Sequence, residues 1–401
     1  MQKHGGFTAE LISFSLIRGI IDTSQRMIIA FLPIFARGLG VTLEEIALII
    51  SSRYALGIIA PYLGMYSENH GTKKAMVLGL LLIVIGFASF SIKPIYPMFC
   101  IALLLAILGR MLFSPAMQTY ISVKVDQSRQ GLAMSIPEIG WSGASIIGLP
   151  IIGLIIDRYG WTAPFPLLAI LVLLAILGLY WLLPPIYHSS RTGPSMVDSI
   201  KYILKKSSPI LILLGCLLMA ISSATIAIIY SVQMESAFDF QVTALGIISF
   251  FLGLSEFCGE GLSAVLTDRL RPGIAVCIGI GINMIVAVLM PKIGVTVLGA
   301  TIGLCFFFLS SEFFMVGILP MIVNMTPEVK ITSLSLRITV HQGGVAIGTA
   351  IGPWLFRKGW STNFYAAAVL DLFALFLIFL VTQRVLLSKI MCLLRSREII
   401  I

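Results

Sequence analysis

Five polar side chains on one face of the first apolar stretch could do chemistry inside a membrane. The stretch from Leu11 to Phe35 is otherwise rich in Ile, Leu, Phe, Met and Ala, and about 25 such residues can cross a bilayer as a helix. A charge at mid-membrane costs at least about 2.5–3.5 kcal/mol, so these side chains must face a polar interior that other spans build. At about 100° per residue they fall within one arc of roughly 100°, and they are Ser15, Arg18, Asp22, Gln25 and Arg26.

The charges in this stripe alternate in sign. Arg18, Asp22 and Arg26 follow one another at intervals of one helical turn, so Asp22 can pair with either arginine. One interpretation is a structural ion network, and the other is a cavity-lining stripe that also contacts substrate or couples ions. An acid binds a proton less readily when an arginine is near it. A conformational change that moves the arginine would therefore load and release a proton.

Further charged residues occur inside other apolar stretches, and they differ between the two halves of the chain. The first half buries arginines with fewer acids, and the second buries acids with only His341 as a cation. Either these groups pair across the halves as gates, or the acids carry protons and the arginines bind an anionic or polar substrate group. Asp371, in the last apolar stretch, is expected to be structural. The proton-coupling candidates are, in order, Asp22, Glu312 and Glu138, then the one-turn pair Glu256 and Glu260, and the substrate-binding candidates are Arg18, Arg26, Arg53, Arg110 and Gln25.

The elements that must position these residues are membrane spans. The chain has 401 residues, of which 58% are hydrophobic and only 11% are charged, whereas soluble domains have about 25% charged residues. Twelve apolar segments bounded by Gly, Pro or charge predict a polytopic all-α membrane protein. Its domains would be two six-helix bundles, at 1–184 and 209–401, joined by the polar and basic linker 185–208. The six cysteines show no metal-binding spacing, and no nucleotide-binding loop occurs, so neither a metal nor a cofactor is expected.

The distribution of basic residues predicts the orientation of the chain. Most Lys and Arg residues outside the spans, Arg337 among them, lie in alternate loops, on the side that carries both termini, and the positive-inside rule makes that side cytoplasmic. No cleavable signal pattern precedes the first span. We therefore expect a multi-pass protein of the cell (plasma or inner) membrane with cytoplasmic termini. The net charge of +9 indicates this topology and not a nucleic-acid partner.

The two halves of the chain are related in sequence. The residues of one motif recur at identical spacing 199 positions later, and an acid after the second span recurs 200 positions later. With six spans in each half, the copies have the same orientation and are parallel repeats. The motif is Arg158, Gly160, Trp161 and Phe165, repeated as Arg357, Gly359, Trp360 and Phe364, and the acid is Glu68, repeated as Asp268.

At this point the sequence resembles the major facilitator superfamily over essentially its whole length. The family signature after the second span has the form G-x-x-x-D-x-x-G-x-K/R-K/R, and here it comprises Gly64, Glu68, Gly71, Lys73 and Lys74, with Glu in place of Asp. The resemblance implies two pseudo-symmetric six-helix bundles that rock about a midplane site. It also implies a gating role for this loop.

Three further elements carry the same resemblance. Asp268 and Arg269 keep the acid–arginine pair in the second copy of the signature. Gly148 and Pro150 in the fifth span look like the glycine–proline signature of antiporters in this family, and Gly352 and Pro353 are the corresponding element of span eleven. The antiporter signature implies export in exchange for protons.

The sequence therefore favours a secondary transporter that is not an enzyme and that exports a small organic compound by proton-coupled alternating access. Its expected partners are a small-molecule substrate, protons and the lipid bilayer, and it is expected to be a monomer. An uptake symporter or facilitator remains an alternative, since nothing in the sequence measures direction, and so does a lipid flippase. A membrane-embedded enzyme is disfavoured because no HExxH, GxSxG or paired-aspartate arrangement occurs.

Overall fold

The computed structural model is built from helices. It describes the backbone of residues 4–59, 71–125, 130–184 and 196–398, and no strand occurs within these ranges. Side chains are described for residues 8–57, 71–125, 133–134, 136–184 and 198–384, except 268, 327, 330 and 331. Helices α1 to α8 are His4–Ala30, Leu32–Leu39, Leu43–Ala55, Thr72–Ile92, Tyr96–Lys124, Gln130–Gly143, Leu149–Tyr159 and Pro164–Leu182. Helices α9 to α16 are Met196–Leu204, Ser207–Ala227, Tyr230–Phe238, Val242–Leu270, Pro272–Ile293, Val297–Met325, Lys330–Phe356 and Trp360–Glu398.

The helices match the predicted spans. Nine helical segments of the described chain are long and apolar enough to cross a membrane, and α1 with α2 makes a tenth that is bent by 74°. Helices α3 and α15 lie where the second and eleventh spans are predicted. The prediction of an all-α membrane protein is confirmed, and these helices agree with the expected twelve transmembrane helices.

The chain forms two compact units that alternate along the sequence. The first comprises Met1–Thr192 and Ala227–Leu254, and the second comprises Gly193–Ile226 and Ser255–Ile401. The predicted boundaries at 184 and 209 stay a prediction. Part of the predicted linker, residues 185–195, lies outside the described ranges, and helix α9 occupies 196–204. Ile203 of α9 is buried in the hydrophobic core of the second unit, so this helix is packed against its own bundle.

The first span is broken at Phe31, although the sequence predicts one helix over residues 9–36. Proline has no amide hydrogen and its ring clashes with the carbonyl four residues earlier, so Pro33 cannot continue the α1 hydrogen-bond pattern. The carbonyl oxygen of Ile29 thereby loses its helical partner, and the Ser231 hydroxyl donates to it at 2.8 Å. A serine from α11 therefore compensates the break inside the first unit.

The fifth span is interrupted at its glycine–proline element. Residues Ala144–Gly148 form one turn of π-helix, and Pro150 lies in the first turn of the helix that follows, which begins at Leu149. A Cβ atom at Gly148 would overlap the Thr23 side chain of α1, so only glycine allows this approach. The counterparts Gly352 and Pro353 lie within the last turns of the uninterrupted α15. The two copies of the element are therefore not structurally equivalent.

The signature loop is described only from Gly71 onward, so Gly64 and Glu68 lie outside the described residues. Lys73 donates from Nζ to the carbonyl oxygens of Tyr180, at 2.8 Å, and Leu183, at 2.6 Å. The last carbonyls of a helix lack helical partners and attract cations, so Lys73 caps the C-terminal end of α8. Lys74 is exposed.

The second copy of the signature shares one backbone feature with the first. Gly71 has φ 90° and ψ 143° and precedes α4, whereas Arg271 has φ 66° and ψ 132° and precedes α13. Only glycine adopts such a conformation without strain. The two copies of the signature thus share the same backbone turn, but the turn residue is glycine in the first copy and arginine in the second. Arg269 is exposed at the end of α12, and the side chain of Asp268 is outside the described set.

This strain predicts opposite effects of glycine at two nearby arginines. Arg271→Gly should raise the free energy of unfolding by about 1 kcal/mol because it relieves the strained backbone. Arg269→Gly, in helical backbone two residues earlier, should lower it by about 0.5–1 kcal/mol. Thermal unfolding in detergent, followed by a thiol-reactive dye that reports exposure of buried cysteines, measures both. If the two substitutions shift the midpoint in the same direction, the assigned strain at Arg271 is incorrect.

Candidate functional site

Asp22 is the centre of a charge cluster inside the first unit. Its side chain has 0% exposure and lies between two guanidinium groups, with the Nε atom of Arg18 at 3.2 Å and that of Arg110 at 3.1 Å. Arg18 lies one turn before Asp22 on α1 and donates a hydrogen bond to it, whereas Arg110 approaches from α5 as an ion pair. The spacing allowed Asp22 to pair with Arg18 or with Arg26 on its own helix, and the structure pairs it with Arg18.

Arg18 also binds a second acid. Its Nη2 atom donates to the Glu138 carboxylate at 2.8 Å, and its Nη1 atom lies 3.4 Å from the Ser114 hydroxyl. Glu138 belongs to α6 and is 49% exposed, in contrast to Asp22. One guanidinium group therefore joins α1, α5 and α6, and it is shared by a fully buried acid and a half-exposed one.

Close backbone packing allows this sharing. Gly140 of α6 lies against α1, and a Cβ atom there would meet the Ser15 carbonyl oxygen at 2.7 Å and the Gly19 nitrogen at 2.8 Å. Small residues of this kind let transmembrane helices approach closely. Gly140 lies two residues from Glu138 along α6, so the contact brings this part of α6 close to α1, where the Glu138 carboxylate reaches Arg18.

Arg26 contacts two parts of span five, namely helix α6 and the π-helical turn that follows it. Its guanidinium carbon lies 3.9 Å from the centre of the Trp141 ring, and its Nη1 atom donates to the Ser145 hydroxyl. Arg110 lies 5.5 Å from the centre of the same ring. Trp141 therefore accepts cation–π interactions from two arginines, which stabilise positive charge where water is scarce.

Gln25 and Arg53 lie together in the first unit, on α1 and α3. Arg53 is 1% exposed, and its Nη1 atom donates to the backbone carbonyl oxygen of Gln25 at 3.4 Å. The amide side chain of Gln25 is buried without a hydrogen-bond partner, as is the Nε atom of Arg53. The structure thus brings together all five sequence-predicted substrate-binding candidates within one unit.

The second unit contains the other proton-coupling candidates. Glu256 is buried and Glu260 is half-buried, one turn apart on α12. Glu312 lies on α14, where its Cβ atom would be 3.2 Å from a Cβ atom built on Gly259. Asp371 on α16 is fully buried, and neither of its carboxylate oxygens has a hydrogen-bond partner among the described residues.

The second unit has a further cation with buried guanidinium atoms, Arg337. The expectation that Arg337 lies in an inner loop and that His341 is the only cation within the spans of the second half is wrong. Arg337 lies within α15, its Nε and Nη1 atoms are buried without hydrogen-bond partners, and Glu312 is close enough to interact with its charge. A signal existed, because Arg337 lies twenty residues before Arg357 and Glu138 lies twenty before Arg158.

The contacts of Trp141, Ser114 and Ser145 were also missed, since uncharged residues in an apolar span give no signal of their own. Within the described ranges, no group of three or more His, Cys, Asp or Glu residues is arranged to hold a metal ion.

Apolar spans that bury ion-paired charges are typical of an integral membrane transport protein. The sequence model of the Major Facilitator Superfamily matches residues 14–313, and the chain belongs to this family. Its members are transporters, and the chain is a transporter and not an enzyme.

Relatives agree with this assignment at low identity. The chain is 28% identical over 206 residues to "Multidrug resistance protein MdtH" of Blochmanniella floridana, which covers 51% of this chain and 48% of that protein. It is 23% identical over 372 residues to "Inner membrane transport protein YdhP" of Escherichia coli K12, covering 91% and 93%. The chain thus spans about half the length of the first relative and nearly all of the second.

A solved structure shares the fold. A bacterial homologue of the human lysosomal transporter Spinster, in an inward-facing and unoccupied conformation, superposes with a TM-score of 0.77 at 13% identity, covering 95% of this chain and 98% of that one. At this identity the similarity shows the fold alone.

The packing around Arg18 predicts that one glycine of α6 is essential and another is not. Gly140→Ala should lower the free energy of unfolding by about 1–3 kcal/mol, because the new methyl group forces α6 away from α1. Gly143→Ala on the same helix meets nothing within 4 Å, so it should be neutral or slightly stabilising. Thermal unfolding of the two variants in detergent makes the comparison. Equal effects would mean that the α1–α6 contact is not as tight as described.

Proposed function

We propose that the chain is a secondary active transporter that exports a small organic compound in exchange for protons. The observation that carries this proposal is the sharing of Arg18 between Asp22 and Glu138. When one acid takes up a proton it no longer attracts Arg18, and the guanidinium group can move fully to the other. Protonation is thereby converted into a rearrangement among α1, α5 and α6.

Charge balance determines which substrates such a device would exchange. Arg18 and Arg110 balance Asp22 and Glu138 when both acids are ionised, so a bound proton leaves one positive charge in excess. An uncompensated charge in a medium of low dielectric constant is costly. The excess charge repels a cationic substrate, so proton and substrate would bind in alternation, as exchange requires. A cationic compound therefore fits proton-driven export best.

The relatives support export without establishing it. MdtH carries the name of a multidrug resistance protein, and a second relative, from Lactococcus lactis, is named a multidrug efflux pump homologue. The π-helical turn before Pro150 adds a point of bending in the span that carries Glu138. In this proposal the protein works as a monomer in the cell membrane, with both termini in the cytoplasm.

An uptake symporter is the second candidate, and Arg53 favours it. This arginine is fully buried and makes no ion pair with an acid among the described residues. An anionic substrate bound near it would be attracted by the extra positive charge of a protonated cluster. Proton and anion would then bind together and travel in the same direction.

Neutralising Asp22 should separate proton coupling from substrate movement. In proteoliposomes with an imposed pH gradient, Asp22→Asn should lower gradient-driven transport of ethidium and tetraphenylphosphonium by about tenfold or more, a loss of roughly 1.4 kcal/mol of coupling. Exchange without a gradient needs no net proton transfer and should persist, but with a higher KM for these cations, because the neutral amide keeps the excess positive charge of the protonated cluster. Pyranine trapped in the vesicles reports the accompanying proton flux.

Two variants serve as comparisons for this experiment. Glu138→Gln should reduce coupling less, because the half-exposed Glu138 has access to water. Asp157→Asn removes an exposed acid at the end of α7 and should leave coupling unchanged. Gradient-driven transport that persists at the wild-type rate in Asp22→Asn would remove Asp22 from the mechanism. Substrate movement down the proton gradient, in the same direction as protons, would select the symporter.

A further inference from the structure

Arg53 lies on the buried face of α3, where the other buried residues are apolar. The buried residues of α3 are Ile46, Ala47, Ile50 and Arg53, which follow helical spacing along one face. Arg53 is also among the largest fully buried side chains of the protein. A guanidinium group is therefore placed on a packing face inside a membrane span, where an uncompensated charge is strongly disfavoured.

The contacts of Arg53 do not neutralise its charge. Its Nη1 atom donates to the backbone carbonyl oxygen of Gln25 over a long 3.4 Å, and its guanidinium carbon lies 4.9 Å from the centre of the neighbouring Tyr54 ring. The end of α3 at Ala55 contributes only a partial negative charge. Within the described ranges, no carboxylate forms a salt bridge with Arg53.

Unused hydrogen-bonding groups belong both to Arg53 and to Gln25, the residue whose backbone it contacts. The Nε–H of Arg53 is buried and makes no hydrogen bond. With Nη2, this atom forms the edge of the guanidinium group that binds carboxylates and similar anions. Gln25, which is 5% exposed, has neither its amide nitrogen nor its amide oxygen in a hydrogen bond. Buried polar groups of this kind are rarely left unsatisfied in native proteins.

We infer that Arg53 and Gln25 form a binding subsite for a monovalent anion. The guanidinium group supplies charge and an N–H donor, and the Gln25 amide supplies a second donor from the adjacent helix. Halides and carboxylates suit the site because they are satisfied by few donors and one positive charge. The anion would be either a free inorganic ion or the carboxylate of an organic compound. The subsite does not depend on proton coupling through Asp22.

The test measures thermal unfolding of the full-length chain in detergent at fixed pH and ionic strength. Sodium chloride and sodium acetate are titrated against sodium gluconate, whose anion is bulky and polyhydroxylated. Because gluconate is itself a carboxylate, it is also titrated against sodium isethionate, a sulfonate, and it serves as the reference only if this titration shows no saturable shift; otherwise isethionate replaces it. A ligand that binds only the folded state raises its stability in proportion to the logarithm of occupancy. We expect a saturable rise of about 2–4 °C in the midpoint with chloride, with acetate or with both.

Variants locate the effect. Gln25→Glu supplies a tethered carboxylate beside Arg53, so it should fold, match or exceed the wild-type midpoint in gluconate, and show no response to added anion. Arg53→Met removes the charge and should also abolish the response. The matched control Arg158→Met removes an exposed arginine and should keep the full response.

The outcomes are distinct. A response to chloride identifies a free inorganic ion, and a response to acetate alone identifies the carboxylate of an organic compound. The inference is overturned if the wild type shows no saturable difference from gluconate, or if Gln25→Glu and Arg53→Met both keep the wild-type response. Asp22→Asn should retain the anion response while it loses proton coupling, so the subsite and the proposed transport mechanism can fail separately.

Discussion

The first unit is organised by the need to compensate one fully buried carboxylate. Asp22 lies in a membrane span at 0% exposure and contacts two guanidinium groups, from its own helix and from α5. Removing one partner of such a buried ion pair strongly destabilises the folded protein, because the remaining charge stays buried without compensation. The positions of α1 and α5 are therefore coupled through this one side chain, and Arg18 extends the coupling to Glu138 and α6.

Close packing of span five against α1 brings the partners of the buried charges together. Gly140 allows α6 to approach α1 closely enough for Glu138 to reach Arg18. Gly148 allows the π-helical turn of the same span to lie against Thr23, one residue after Asp22 on α1. The span that shares Arg18 is thus both tightly packed and locally irregular. Irregular helical turns occur often at functional sites because they can change their hydrogen bonding at low cost.

The fold was largely predictable from the sequence, because hydrophobic length and turn residues determine where spans lie. The charges of the first half were predictable as a group for the same reason. Their pairing was not, since periodicity locates a side chain only on a helix face and cannot show that Asp22 meets Arg110 on another helix. Arg337 was assigned to a loop because it lies near the start of α15, although its position in the repeat matches that of Glu138. The break at Phe31 depends on Pro33 within an otherwise helical pattern.

The account depends on Asp22 being a group that gains and loses a proton inside the membrane. Infrared difference spectroscopy of the full-length chain in lipid, between neutral and acidic pH, detects the carbonyl stretch of a protonated carboxylic acid directly. The account predicts a band of a buried protonated carboxyl group on acidification that is absent from Asp22→Asn and present in Asp157→Asn. A difference spectrum that is identical in the wild type and Asp22→Asn would show that Asp22 keeps one protonation state, and it would contradict proton coupling through this cluster.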